Sequence, residues 1–313
     1  MASSKTSSTL LTLSTAILLL FSSSCKEGDT RNGGGPTSPA LSSSMSKITT
    51  IEQDVYSCHG HDFSDFYSFT YDKNGRLSHI KAKEDYYLSQ TLRSEELEVR
   101  YQYDGGTIEV LYKDEESEYK PVKGASSFSV DSSGRVTLIA GILECIYENG
   151  HLVTFKDKSS GDYPDDDYNV DLKWEGDLLT QKTEKLIFYE SENPQRIERS
   201  ELTEEKWEYS PYDNDCNIMF PWDGRFFEPI RCVIPTGWFG RPIAKLPSKI
   251  KGTFTTVDYN GKKRVKSYTI TYKYLLDAKK RPIFIESHEE ATSSDSNVTI
   301  CPTDNDIRIT YYD

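Results

Sequence analysis

Cysteine, histidine and carboxylate side chains are the groups best able to hold a metal or carry a reaction, and two short stretches of this 313-residue chain concentrate them. Cys58-His59-Gly60-His61-Asp62 brings thiol, imidazole and carboxylate together. The two histidines stand two apart, however, and no second ligand pair follows at a zinc-site spacing, so the stretch reads as chance clustering at a strand end. Asp162-Tyr163-Pro164-Asp165-Asp166-Asp167 suits a hard cation such as calcium, but it lacks the spaced acids, central glycine and closing glutamate of an EF-hand loop. It reads as a solvated acidic turn. The sequence has no nucleophile elbow, zincin helix, phosphate loop or Cys-x-x-Cys, and Ser44-Met45-Ser46-Lys47 matches Ser-x-x-Lys only in form. No catalytic residue, metal or cofactor is assigned. With 50 acids available, any pair chosen for glycoside hydrolysis is meaningless without geometry.

The other candidates are aromatic. Between Cys216 and Ile250 the chain is rich in rings and proline, with neither helical nor strand period. Prolines 221, 229, 235, 242 and 247 argue against a central strand, so 216–250 is expected to be an irregular insertion folded on a sheet. Exposed, Trp222, Phe226, Trp238 and Phe239 would form a stacking platform for sugar rings or an anchor for a protein partner. Buried, together with Phe227, they would plug a concave face, which is the favoured outcome because ring-rich irregular segments owe their order to burial. Cys216 and Cys232 bracket the segment, and a disulfide between them would contribute roughly 3 kcal/mol on the chain-entropy account.

The elements that must position these residues are hairpins. In Tyr67-Ser68-Phe69-Thr70-Tyr71 the rings share one face of a strand. Asp72 and Gly75 then sit at the first and last positions of a turn that leads into Leu77 and Ile80. The unit recurs with drift around Asp104, Asp131, Glu148 and Glu175. Its uneven spacing argues against a propeller or solenoid and for a meander of unequal hairpins. Gln90–Arg100 is the best helical candidate, yet the alternation of Leu97, Val99, Tyr101 and Tyr103 makes it a strand. The expected fold is all-β, a large curved antiparallel meander or barrel-like sheet. Fifty acidic against 37 basic residues, a net charge of −13, leave nucleic acid a poor partner.

At the N-terminus, Lys5, the apolar run from Leu10 to Phe21 and Ser22-Ser23-Ser24 before Cys25 have the order of a signal peptide covering residues 1–24. The run is too short to span a bilayer, which takes roughly 20 residues. Cys25 at that place resembles the lipobox cysteine of bacterial lipoproteins, with Ser22 standing where that motif usually has leucine. Residues 25–46 would then be a lipidated cysteine and a polar tether of about 25 Å end to end. A single β domain, 47–313, would follow.

These features together resemble a family of Bacteroidota lipoproteins described as a domain of unknown function with a porin-like β fold. The residues that carry the resemblance are the Tyr-x-Tyr-Asp-x-x-Gly-Arg-Leu units, Gly237-Trp238-Phe239-Gly240 with Leu246-Pro247, and the lipoprotein-like start. The units alone also resemble the YD repeats of Rhs-type proteins. The resemblance implies a large closed or nearly closed sheet and carries no site residues with it. Hairpin arms that read as five or six residues, against the 9 to 11 of a spanning barrel, make a soluble tethered domain the expectation. The functional expectation is a non-catalytic outer-membrane lipoprotein that binds a glycan or protein. A structural envelope component and a carboxylate-dependent hydrolase are the alternatives.

Overall fold

In the computed structural model, residues 46–312 are described apart from 58–59, 89–90, 115–117, 122–126, 140, 142, 158–166, 191–192, 215–217, 220–233, 236–238 and 296–299. Every helix or strand among them is a strand. In chain order these are β1 (Ile48–Ser57), β2 (Gly60–Tyr71), β3 (Leu77–Leu88), β4 (Thr91–Asp104), β5 (Thr107–Asp114), β6 (Lys120–Pro121), β7 (Ser127–Val130), β8 (Val136–Ile139), β9 (Leu143–Glu148) and β10 (His151–Asp157). They continue as β11 (Asp167–Glu175), β12 (Leu178–Glu190), β13 (Asn193–Asp213), β14 (Ile218–Met219), β15 (Ile234–Pro235), β16 (Lys245–Asp258), β17 (Lys263–Leu276), β18 (Pro282–Ser293) and β19 (Thr303–Tyr311). Apart from β6, β14 and β15, each strand pairs antiparallel with the next in the chain, β5 passing to β7 and β13 to β16. β19 then pairs with β1, from Ile48 opposite Tyr311 to Tyr56 opposite Asp304. The meander thereby closes into a barrel of 16 strands. β6 pairs only with β5, and β14 with β15 makes a separate two-stranded ribbon.

Two expectations need correction. Hairpin arms are not five or six residues long: β1 to β4, β12, β13 and β16 to β18 run 10 to 21 residues, and only β7 to β10 are as short as 4 to 7. The extensions were hidden because their inward positions are often polar, so no apolar alternation marks them. The irregular insertion is also shorter than 216–250. Pro247 lies inside β16, where Ser248 is an extra residue between the pairs Glu208–Lys249 and Tyr209–Pro247, a bulge that relaxes the ladder around it.

Alternation sets the two faces. In β19, Asn305, Ile307 and Ile309 are buried, while Asp304, Arg308 and Thr310 are exposed. Outward positions elsewhere are equally charged, with Glu96 and Arg100 on β4, Asp171 and Lys173 on β11, and Glu204, Lys206 and Glu208 on β13 all exposed. The inward apolar residues form one cluster that draws on strands all round the ring. Ile51, Val110, Leu152, Val170, Leu179, Ile285 and Ile307 are each 0% exposed. An open ring of this strand number would enclose water and leave its wall wet. Full burial on every side means that water is kept from this part of the wall.

The two ends of the barrel differ. One carries the hairpin turns at Asp72, Asp104, Asp131, Asn149, Gly176 and Asp277, together with Lys47 and Tyr312 at the limits of the ring, and is called here the turn end. The other, the loop end, joins β2 to β1, β4 to β3, β13 to β12 and β19 to β18.

A repeated clasp ties the turn end together. Asp72 Oδ1 accepts hydrogen bonds from the N–H groups of Asn74 (2.8 Å) and Arg76 (2.9 Å), and Oδ2 accepts from Arg76 Nε (2.7 Å). The Arg76 guanidinium lies over the Tyr103 ring, 4.1 Å from its centroid, and Tyr103 Oη donates to the carbonyl of Leu77, the next residue (2.7 Å). The same relation joins Asp131, Arg135, Val136 and Tyr147, and again Asp277, Arg281, Pro282 and Tyr311. Elsewhere another side chain replaces the arginine. Lys47 lies over Tyr71, which donates to Ile48, and His151 stacks on Trp174, which donates to Leu152. The Tyr-Asp-x-x-Gly-Arg unit is thus a link between neighbouring hairpins as well as a turn. Gly75 and Gly134 serve it at φ +80° and +77°, where a Cβ is strained.

Candidate functional site

The interior changes character along its length. Near the turn end it is apolar, whereas toward the loop end the inward positions are polar and charged. Gln53, Asp65, Ser287 and Asn305 are all buried there. Gln53 Nε2 donates to Asn305 Oδ1 (3.4 Å), and Asn305 Nδ2 to Ser287 Oγ (3.1 Å). Gln53 is also directly opposite Asp65. Turned end for end together, the Gln53 and Asn305 amides would present the Gln53 NH2 on that side, with Asn305 Nδ2 donating to Gln53 and Ser287 Oγ donating to Asn305, so this half of the polar belt can complete itself. Burial, followed by the charges of Asp65 and Glu84, pushes the phenol of neighbouring Tyr67 well up.

Across β12, β13, β16, β17 and β18 the belt is ionic. Lys182 Nζ is 2.8 Å from Glu184 Oε2, Lys266 Nζ 2.5 Å from Glu289 Oε1, and Arg199 Nε 3.0 Å from Glu201 Oε1. Between them, Glu205 Oε1 accepts a hydrogen bond from Tyr268 Oη (2.6 Å). The register explains that reach. Glu205 is opposite Lys182 on one side and Gly252 on the other, and Gly252 is opposite Tyr268. A Cβ on Gly252 would stand 2.3 Å from Tyr268 Cζ, so only glycine lets the ring lie across the strand. Burial first, and then the Glu205 charge, holds the Tyr268 phenol protonated. Two rings receive the protein's own cations: Lys266 lies 5.5 Å from the Tyr268 centroid and Arg199 4.0 Å from that of Phe188. Carboxylates, ring faces and a protonated phenol are the equipment of a polar or cationic binding site.

The chain is similar to porin-like proteins of Bacteroides. A porin-like protein from Bacteroides uniformis aligns at TM-score 0.45 and 12% identity over 85% of this chain and 98% of its own. One from Bacteroides vulgatus aligns at TM-score 0.26 and 11% identity over 85% and 99%. No protein-family model matches the sequence, and no curated protein does. The barrel assignment rests on the chain's own strand pairing.

Of the residues singled out from the sequence, Phe239 is placed decisively. It is 2% exposed and packs edge-on against Phe155, with centroids 5.5 Å apart, so it is no platform residue. Gly240 beside it bridges to His151 and sits so close to the Gly150 carbonyl that a Cβ would fall 2.4 Å from that oxygen. Arg241 N–H donates to the same carbonyl (2.7 Å), and of the residues that follow, Ile243 and Leu246 are buried. Trp222, Phe226, Phe227, Trp238, Cys216, Cys232 and Cys25 lie outside the described residues. So do Cys58, His59 and residues 162–166, and the side chains of His61 and Asp62. Lys47 of the Ser-x-x-Lys match is occupied with Tyr71. Cys301 is disulfide-bonded, and Cys145 is a free, buried thiol whose pKa burial pushes up, which leaves it an inert apolar group.

Sequence reading missed the belt. Lys182 and Glu184 precede Leu186 on the same face, and Glu205 precedes Trp207, but charged residues on both faces of these strands conceal which set points inward. Their only signal is phase with the next apolar residue.

Proposed function

We propose that this chain is a lipid-anchored, non-catalytic binding module of the bacterial cell envelope, held off the outer membrane by residues 25–46 and offering its loop end to a glycan or protein ligand. The observation that supports this best is the pairing of a charged exterior with an apolar interior closed to solvent. A spanning barrel carries an outward apolar band roughly 25 Å tall and, when it conducts, a water-filled lumen. This wall has charged outward positions, and its inward apolar positions are closed to solvent. Lys47, where the tether would join β1, is at the turn end, so the loop end would face away from the lipid. Burial of Phe239 withdraws that one residue from the expected ligand surface, and the polar loop end is proposed as that surface.

Palmitate labelling of intact cells, combined with surface proteolysis, tests the anchor. Labelled wild type and unlabelled Cys25→Ala are expected, and an unlabelled wild type would overturn the anchoring. Reconstitution in planar bilayers should give no conductance steps. Discrete channels would replace the binding-module reading with a pore.

A further inference from the structure

In the β12–β18 half of the interior belt, four acids face inward, and three of them are matched by a cation of the protein: Glu184 by Lys182, Glu201 by Arg199 and Glu289 by Lys266. Glu205 is not. Its Oε1 takes the Tyr268 hydroxyl, while Oε2, on a residue only 9% exposed, has no hydrogen-bond partner among the described residues. A buried carboxylate oxygen without a donor is costly to the fold and is the kind of group a ligand satisfies.

We propose that Glu205 Oε2 anchors a small organic cation through a primary ammonium group, in a site lined by Lys182, Glu184, Glu289 and Tyr268. One acid in excess calls for one positive charge. A hard metal ion would need several converging oxygens, and no group of three His, Cys, Asp or Glu among the described residues is placed to hold one. Oε2 lacks a donor, so the cation must bring N–H groups, which a quaternary ammonium does not. The ring of Tyr268 already receives Lys266 on its face and suits an ammonium for the same reason. Entry is from the loop end, where Lys266 and Glu289 are partly exposed at 36% and 26% of their side chains. The site is independent of the lipid anchor.

Calorimetric titration of the full chain in detergent, at constant ionic strength, tests it with n-butylamine, glucosamine and tetramethylammonium. Saturable binding of n-butylamine is expected, at least ten-fold tighter than tetramethylammonium. Glucosamine that binds as well would extend the ligand class to amino sugars, and glucosamine that does not would restrict it to slender alkylamines. Glu205→Gln should weaken n-butylamine binding at least ten-fold, whereas Glu208→Gln, on the outer face of the same strand, should leave it unchanged. Should Glu205→Gln fail to fold, Tyr268→Phe serves instead: it frees Oε1 as well, and binding should hold or tighten. Absence of saturable n-butylamine binding, equal binding of tetramethylammonium, unaltered binding by folded Glu205→Gln, or loss of binding in Tyr268→Phe would each overturn the proposal.

Discussion

The turn end and the loop end are built from the same strands, yet they solve different problems. At the turn end three hairpins present the same parts: an acid that caps the turn, an arginine on a neighbouring ring, and a hydroxyl on a neighbouring carbonyl; Lys47 with Tyr71 and His151 with Trp174 keep the last two. At the loop end the inward residues differ from strand to strand, and no clasp recurs among the described residues. Repetition marks the end whose task is the same at every joint, which is to hold one hairpin against the next and keep the apolar interior dry. Variety marks the end where a ligand could be read, as is usual where a rigid scaffold carries its recognition surface at one rim.

If this contrast is right, truncation within the turn-end interior should be the most damaging change. Phe128→Ala removes one of the largest fully buried side chains and should destabilise the barrel by about 3 to 5 kcal/mol, read as a lower urea midpoint with an unchanged slope. A loss below about 1 kcal/mol would mean that the interior can collapse around the gap and is not closely packed. Breaking a single clasp comes next. Asp72→Ala deletes two backbone hydrogen bonds and the fork to Arg76, for an expected loss of about 2 kcal/mol.

Asp72 also supplies a pH signature. Burial alone would raise its pKa, but the bonds from Arg76 and Asn74 and the Arg76 charge outweigh it and hold the carboxyl below its ordinary value. The folded pKa is therefore lower than the unfolded one, about 3.9. The contribution is complete above that value and is lost as pH falls through the folded pKa. Below about pH 4 the wild type should lose stability more steeply than Asp72→Ala, and parallel acid titrations of the two would refute the assignment. Tyr103→Phe keeps the ring under Arg76 and removes the bond to Leu77, so about 1 kcal/mol is expected in the same assay.

The sequence disclosed these two ends unequally. Asp72 and Gly75 could be read as a turn because every contact that fixes it lies within four residues. Tyr71 and Tyr103 were legible as buried rings from their alternation, but not as donors, since each reaches a carbonyl one hairpin away. Closure of β19 on β1 joins residues some 250 positions apart, and no local pattern announces it. The role of His151 was equally silent: nothing in Asn149-Gly150-His151 says that an imidazole takes the place of an arginine over the ring of Trp174. At the loop end, Glu205 looked like one more charge among Glu204, Lys206 and Glu208, and only the closed ring turns it inward.

The smallest effect gives the sharpest form of the comparison, because one loop-end turn copies half of the clasp. In the turn between β16 and β17, Asp258 Oδ1 accepts from the N–H groups of Asn260 and Lys262, both at 2.9 Å, in the geometry of Asp72. The residue after the glycine is Lys262, an exposed lysine at the position where the clasp has its arginine. If the backbone capping bonds supplied most of the clasp's strength, Asp258→Ala and Asp72→Ala would cost the same. If the guanidinium fork and the stacked ring matter as the turn-end repetition implies, Asp258→Ala should cost only about 0.5 to 1 kcal/mol, the worth of an exposed Asx cap. Equal denaturation midpoints for the two variants would reduce the turn-end repeat to a row of ordinary hairpin turns. A difference of about 1 kcal/mol would locate the surplus in the contact from one hairpin to the next.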